Sequence, residues 1–106
     1  MITYRIHQIK DIENTVYAFR GYNPNRFDFA DYECTYEGTI SGVRDKDNLE
    51  ICEDLFFILN RSHPSDYKAR SLSVSDIIEL LRDGQSQFYY CDVCGFQQLQ
   101  LAQEIS

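Results

Sequence analysis

The sequence predicts an α+β fold: a small, mainly antiparallel sheet with two principal helices. Three observations lead there. Strand-like alternation opens the chain and returns at residues 31–40. Apolar residues at helical spacing occupy residues 47–59 and 74–83. The last two segments, residues 88–92 and 95–101, are rich in β-formers and lie either side of a tight turn. Strands and helices follow one another without the regular βαβ alternation of a parallel sheet.

Residues 1–10 alternate, with Ile2, Tyr4 and Ile6 on one face and Thr3, Arg5 and His7 on the other, the pattern of a half-buried strand. Residues 11–22 are ambiguous. Ile12, Val16 and Phe19 have helical spacing, so a short helix is an open reading. Gly21 and Asn23-Pro24-Asn25 end whatever forms there. Residues 31–40 read as a second strand, with Tyr32, Cys34 and Tyr36 on one face and Glu33, Thr35 and Glu37 on the other. A charged, turn-rich loop follows.

Asp47 can cap the first helix, and Glu50 three residues later completes a capping-box pair. Leu49, Cys52, Phe56 and Leu59 recur at helical spacing, and Leu49, Phe56 and Leu59 are expected to be buried. Leu55, Phe57 and Ile58 widen the apolar surface, which implies burial on more than one side or a patch awaiting a partner. After a loop around His63-Pro64, Ser73 or Ser75 can cap a second helix. It would run through Ile77, Ile78, Leu80 and Leu81 to Asp83, bury Ile77 and Leu81, and stop at Gly84. A turn at residues 92–95 makes the last two segments a hairpin, and the tail after Leu101 is expected to fray.

A chain of 106 residues fits one domain, residues 1–106. With 43% hydrophobic residues it has enough apolar surface for a core. Seventeen acidic residues against ten basic ones leave a net charge of −7. A grip on a phosphate backbone needs clustered Lys and Arg, so direct nucleic-acid binding is not expected. An acidic surface fits a basic protein partner, although solubility alone also accounts for such a charge. The first ten residues lack the apolar stretch of a signal peptide, and no apolar run is long enough for a membrane span. The expected location is the cytoplasm, with Cys34, Cys52, Cys91 and Cys94 as reduced thiols.

Cys91-Asp92-Val93-Cys94-Gly95 is the sharpest chemical motif. Such a knuckle can hold half of a tetrahedral zinc site. However, Cys34 and Cys52 form no second knuckle, and His7 and His63 stand alone. A redox role wants a thiolate at a helix N-terminus, and this pair falls on a hairpin. Two small side chains at a turn is the simplest account, and no metal or other cofactor is expected. Ser71, Ser73 and Ser75 lack a neighbouring base or Gly-flanked elbow, so capping and turn hydrogen bonds explain them better than nucleophilic catalysis. Residues 45–50 begin like a calcium loop but lack its Gly. Two acidic clusters remain as candidate partner-binding residues: Asp28, Asp31, Glu33 and Glu37, and Asp45, Asp47, Glu50, Glu53 and Asp54. Carboxylates along a ridge can occupy sites that normally hold a DNA backbone; the plainer account is a solvated face.

Several phrases together resemble the YodL-like domain family of Firmicutes. They are Tyr17-Ala18-Phe19-Arg20-Gly21-Tyr22, Tyr36-Glu37-Gly38 and His63-Pro64-Ser65-Asp66-Tyr67. Arg70-Ser71-Leu72-Ser73-Val74-Ser75-Asp76-Ile77-Ile78 and Phe88-Tyr89-Tyr90-Cys91-Asp92 follow, then Gly95-Phe96. The resemblance runs from about residue 4 to residue 99, and Cys94 departs from the family pattern. It implies a setting on plasmids, conjugative elements and phages, and it implies no catalytic residues. By analogy with other small acidic proteins of such elements, the expected function is inhibition of a host defence nuclease in the bacterial cytoplasm. An anti-CRISPR protein that binds Cas9 or its guide complex stoichiometrically is the specific form. The alternatives are a non-inhibitory interaction module and a small zinc-binding regulator.

Overall fold

The computed structural model describes residues 1–100; the expected frayed tail after Leu101 lies outside them. Strands β1 (Ile2–Ile9), β2 (Tyr32–Ile40), β3 (Ile77–Arg82), β4 (Gln85–Asp92) and β5 (Gly95–Leu99) form one sheet, in the order β2-β1-β3-β4-β5. Every neighbouring pair is antiparallel. One α-helix, α1 (Asn48–Arg61), and a 3₁₀ turn at Phe29–Asp31 complete the regular elements among the described residues.

The alternation of β1 places it between β2 and β3, with Ile2, Tyr4 and Ile6 beneath α1. The predicted capping box is present: Asp47 accepts from the Glu50 N–H at 2.9 Å, and Glu50 accepts from the Asp47 N–H at 3.2 Å. The helix phase differs from expectation. Ile51, Cys52, Leu55 and Leu59 are buried, whereas Leu49 is 48% exposed and Phe56 only half-buried. Apolar residues surround more of α1 than its contact with the sheet covers, so spacing alone marked the helix without setting its rotation.

The predicted second helix is a strand. Ile77, Ile78, Leu80 and Leu81 match helical spacing, but β3 lies mid-sheet with both faces covered. Consecutive residues are therefore buried together: Ile77 and Ile78 are both fully buried, and Leu81 is half-buried. Gly84 does not end a helix. Asp83 and Gly84 both have left-handed φ, 53° and 79°, and form the two-residue turn between β3 and β4. The final hairpin forms as predicted, with Gly95 (φ 86°) closing the turn after Asp92.

The strand β2 departs from simple alternation. The β1–β2 register shifts between Ile6 and His7, so that Tyr36 pairs with Ile6 but Cys34 pairs with His7. Thr35 is the extra residue of a β-bulge, and its hydroxyl donates to Gln8 Oε1 at 2.9 Å. Tyr36 thus joins the α1 side while Tyr32 joins the opposite one. Glu33, opposite Gln8, and Glu37, opposite Arg5, are sent to different faces.

The side of the sheet away from α1 is covered by residues 10–31. They form turns and no α-helix. Tyr17, Phe27 and Phe29 from this segment pack on Ile9, Tyr32, Ile77, Phe88, Tyr90 and Leu99.

Candidate functional site

Three segments that carry the family resemblance, residues 17–22, 70–78 and 88–92, meet at one end of the sheet. The Phe19 N–H donates to Ser75 Oγ at 2.9 Å. The Tyr90 hydroxyl donates to the Arg20 carbonyl at 2.8 Å, and the Tyr22 N–H donates to Asp92 Oδ1 at 3.2 Å. Close approach here requires Gly21, because a methyl at that position would lie 2.9 Å from Asp92 Oδ1. Phe19 and Ser75 both have left-handed φ, 63° and 83°, a conformation that strains non-glycine residues. Their mutual hydrogen bond holds both. Phe19 is left 51% exposed, with the Arg70 guanidinium 5.9 Å from its ring centre. Ser75 therefore caps no helix; it pins one loop to another.

Asp76 lies beneath this junction and is 1% exposed. Its Oδ2 accepts from Gln8 Nε2 and the Ser73 N–H, while Oδ1 has no hydrogen-bond partner among the described residues. Burial pushes its pKa up to about 6, against the opposing pull of Gln8, the Ser73 N–H and Arg70. Burial likewise pushes the Cys91 thiol up to about 12, so it is no ready nucleophile. The junction is a braced scaffold.

A second polar group lies on the sheet face away from α1. Glu79, 5% exposed, accepts from Arg5 Nη1 at 3.0 Å and Ser86 Oγ at 2.6 Å, and His7 Nε2 lies 2.9 Å from it. Burial raises the Glu79 pKa, but hydrogen bonds from His7 and Ser86 and the nearby Arg5 hold it below the usual carboxylate value. The His7 ring sits between Phe29 and Phe88. Ser86 bonds the carboxylate and not the imidazole, so the three do not form a nucleophile–base relay. Sequence reading missed this group. The available signal was a charged residue inside the apolar run Ile77-Ile78-Glu79-Leu80-Leu81.

The two predicted acidic clusters fall in different places. Asp28 caps the 3₁₀ turn, Asp31 accepts from the Tyr17 hydroxyl at 2.7 Å, and Glu37 pairs with Arg5 at 2.7 Å. Glu33 has no side-chain partner among the described residues. Of the second cluster, Asp47 and Glu50 form the capping box and Asp54 pairs with Lys46. Asp45 and Glu53 are exposed without side-chain partners among the described residues. The first cluster is therefore split across the two sheet faces by the bulge, and the second gathers at the start and on the outer side of α1.

Cys91 is buried and Cys94 exposed. Among the described residues no three His, Cys, Asp or Glu side chains converge as metal ligands, and no helix is long and apolar enough to cross a membrane. Among curated proteins and among solved structures the chain has no match. The model of the YodL-like domain family matches residues 3–101, a span that takes in the junction, α1 and all but the first residue of the sheet. The chain belongs to the YodL-like domain family.

Proposed function

We propose that this protein acts by binding a basic macromolecular partner and not by catalysis, and that the partner is a host defence nuclease. Cas9 with its guide is the specific candidate, inhibited by stoichiometric occupation. The observation that carries this reading is the net charge of −7. Glu79 accepts from three side chains and Ser75 Oγ is engaged by the Phe19 N–H. Glu33, Asp45 and Glu53 are left on the surface without side-chain partners among the described residues. A field of that sign steers a basic groove toward the protein and repels nucleic acid.

The test is capture with tagged protein from a bacterial lysate that contains type II-A CRISPR machinery, read by mass spectrometry and elemental analysis. A co-eluting nuclease supports the proposal. A co-eluting protein of another class favours an interaction module without inhibitory activity, and one equivalent of zinc favours a small metal-binding regulator.

A further inference from the structure

We propose that the open edge of β5 joins two copies of this chain, each laying its β5 antiparallel to the other's across a two-fold axis. The inference starts from a contrast between the two edges of the sheet. In the order β2-β1-β3-β4-β5, only β2 and β5 lack a second neighbour among the described residues. An open edge presents unpaired backbone N–H and C=O groups, which pair with another strand unless charges, bulges or proline block it. The strand β2 carries such blocks: the bulge at Thr35 and the exposed carboxylates Glu33 and Glu37. The strand β5 carries none. Its register with β4 is unbroken from Gly95 to Leu99. Residues 93–103 hold no charged residue and no proline, in a chain that is 25% charged.

What this edge displays points to its occupant. Phe96 and Gln98 lie on the α1 side of the sheet, Gln97 and Leu99 on the other. Each of these side chains suits a copy of itself. A glutamine amide both donates and accepts, so two facing glutamines complete each other, whereas facing like charges repel. Both amides are exposed, and their contacts inside the chain are long: 3.4 Å from Gln97 Nε2 to the Gln98 carbonyl and 3.3 Å from Gln98 Nε2 to Gln87 Oε1. Two chains of net charge −7 repel one another, so self-association needs a neutral meeting place, and this edge supplies it. With Gln97 on the axis, Gly95 faces Leu99 of the second copy. Glu53, the carboxylate beside Gly95, then stands at the opposite end of the paired strands from its counterpart. That is roughly 14 Å along the strand, beyond the Debye length of about 8 Å at physiological salt. Grooves on both sides of the edge extend the contact beyond the backbone. Leu49, Tyr89 and Phe96 line one of about 710 Å³ on the α1 side. The charges lining it are already engaged: Lys46 pairs with Asp54, Asp47 caps α1, and Arg82 donates to the Lys46 carbonyl. Phe88 and Leu99 line the other, of about 570 Å³, together with Ser86 and glutamines.

The test is sedimentation of the whole chain over a range of concentrations, at low and at raised salt, with reductant present so that the exposed Cys34 and Cys94 form no cross-links. A dimer should form. It should tighten as salt rises, because screening weakens the repulsion between like-charged chains and leaves the backbone hydrogen bonds in place. Amide exchange at residues 95–99 should slow as concentration rises, and exchange at residues 32–40 should not change. Gln97→Lys with Gln98→Lys sets like charges opposite one another at position 97 and diagonally at position 98. It should weaken the dimer about tenfold or more, although two added positive charges take the net from −7 to −5 and lower the long-range repulsion. Both altered side chains are exposed, so the fold should survive, checked by circular dichroism. The exchange measurement uses the unaltered chain and stands whatever becomes of the variant. Glu33→Lys, on the other edge, should leave the dimer no weaker. A monomer up to about 1 mM, slow exchange at residues 95–99 that does not depend on concentration, slowing centred on β2, or a folded double variant that dimerises as tightly as the parent would each overturn this interface.

Discussion

The two faces of the sheet are covered by opposite means. On one side a single regular helix lays Ile51, Leu55 and Leu59 on a floor of Ile2, Tyr4, Ile6, Ile78, Leu80 and Tyr89. On the other, residues 10–31 cross the sheet as coil and turns and build an aromatic layer. A helix satisfies its own backbone groups, whereas coil must find partners for them elsewhere. Here tyrosine supplies them. The Tyr32 and Tyr90 hydroxyls donate to the carbonyls of Ser75 and Arg20, the Tyr17 hydroxyl accepts from the Asp28 N–H, and the three rings fill the layer. The comparison gives part of the composition a cause: of the eight Tyr, Tyr17, Tyr32 and Tyr90 serve a face where irregular backbone needs polar groups at the ends of apolar rings, while Tyr4, Tyr67 and Tyr89 pack on the α1 side.

The largest effect should come from the helical side. Leu55→Ala, at 1% exposure, should cost about 2–5 kcal/mol in chemical denaturation, and half-buried Phe56→Ala less than Leu55→Ala. If Phe56→Ala costs more, the helix phase described above is wrong.

The next effect separates the two buried carboxylates by pH. The Asp76 pKa is raised to about 6 from an ordinary 3.8. Its stabilising contribution is therefore complete below about pH 4 and is lost as pH rises through 6. The Glu79 pKa is lowered from 4.5, so its contribution is present above pH 4.5 and lost on acidification. The stability of the wild type relative to Asp76→Asn should fall by about 3 kcal/mol between pH 4 and pH 7. Relative to Glu79→Gln it should fall in the acid direction. Parallel pH profiles for the two variants would contradict the assignment.

Smaller still is the hydroxyl effect on the coil side. Tyr90→Phe keeps the ring but leaves the Arg20 carbonyl unsatisfied, which should cost about 1–2 kcal/mol. Amide exchange should quicken around residues 19–22. Unchanged stability and exchange would break the comparison between the two faces. The smallest effect is Phe57→Ser, which should move stability by less than about 0.5 kcal/mol because the ring is exposed.

Much of this fold was legible. The alternation of β1, the Asp47–Glu50 box and the hairpin at residues 92–95 each rest on neighbours in sequence. Local pattern failed where long-range burial decides. With both of its faces covered, β3 carries an apolar run that mimics helical spacing, and Asp83-Gly84 serves equally as a helix stop or a hairpin turn. The bulge at Thr35 has no local signature. Among the acidic residues, identity was legible but engagement was not. The partners of Asp31 and Glu37 are 14 and 32 residues away, and those that complete Glu79 include residues 72 and 74 away. The junction of Phe19 with Ser75 spans 56 residues, so three phrases recognisable one by one gave no hint that they touch.

The central claim, inhibition by binding to a basic nuclease, is tested most directly by titration. The protein is added to purified type II-A Cas9 loaded with guide, and cleavage of target DNA is followed at low and at raised salt. The account predicts that cleavage stops near one equivalent at low salt and that association slows as salt screens the acidic surface. Full cleavage in the presence of a large excess of folded protein would contradict it.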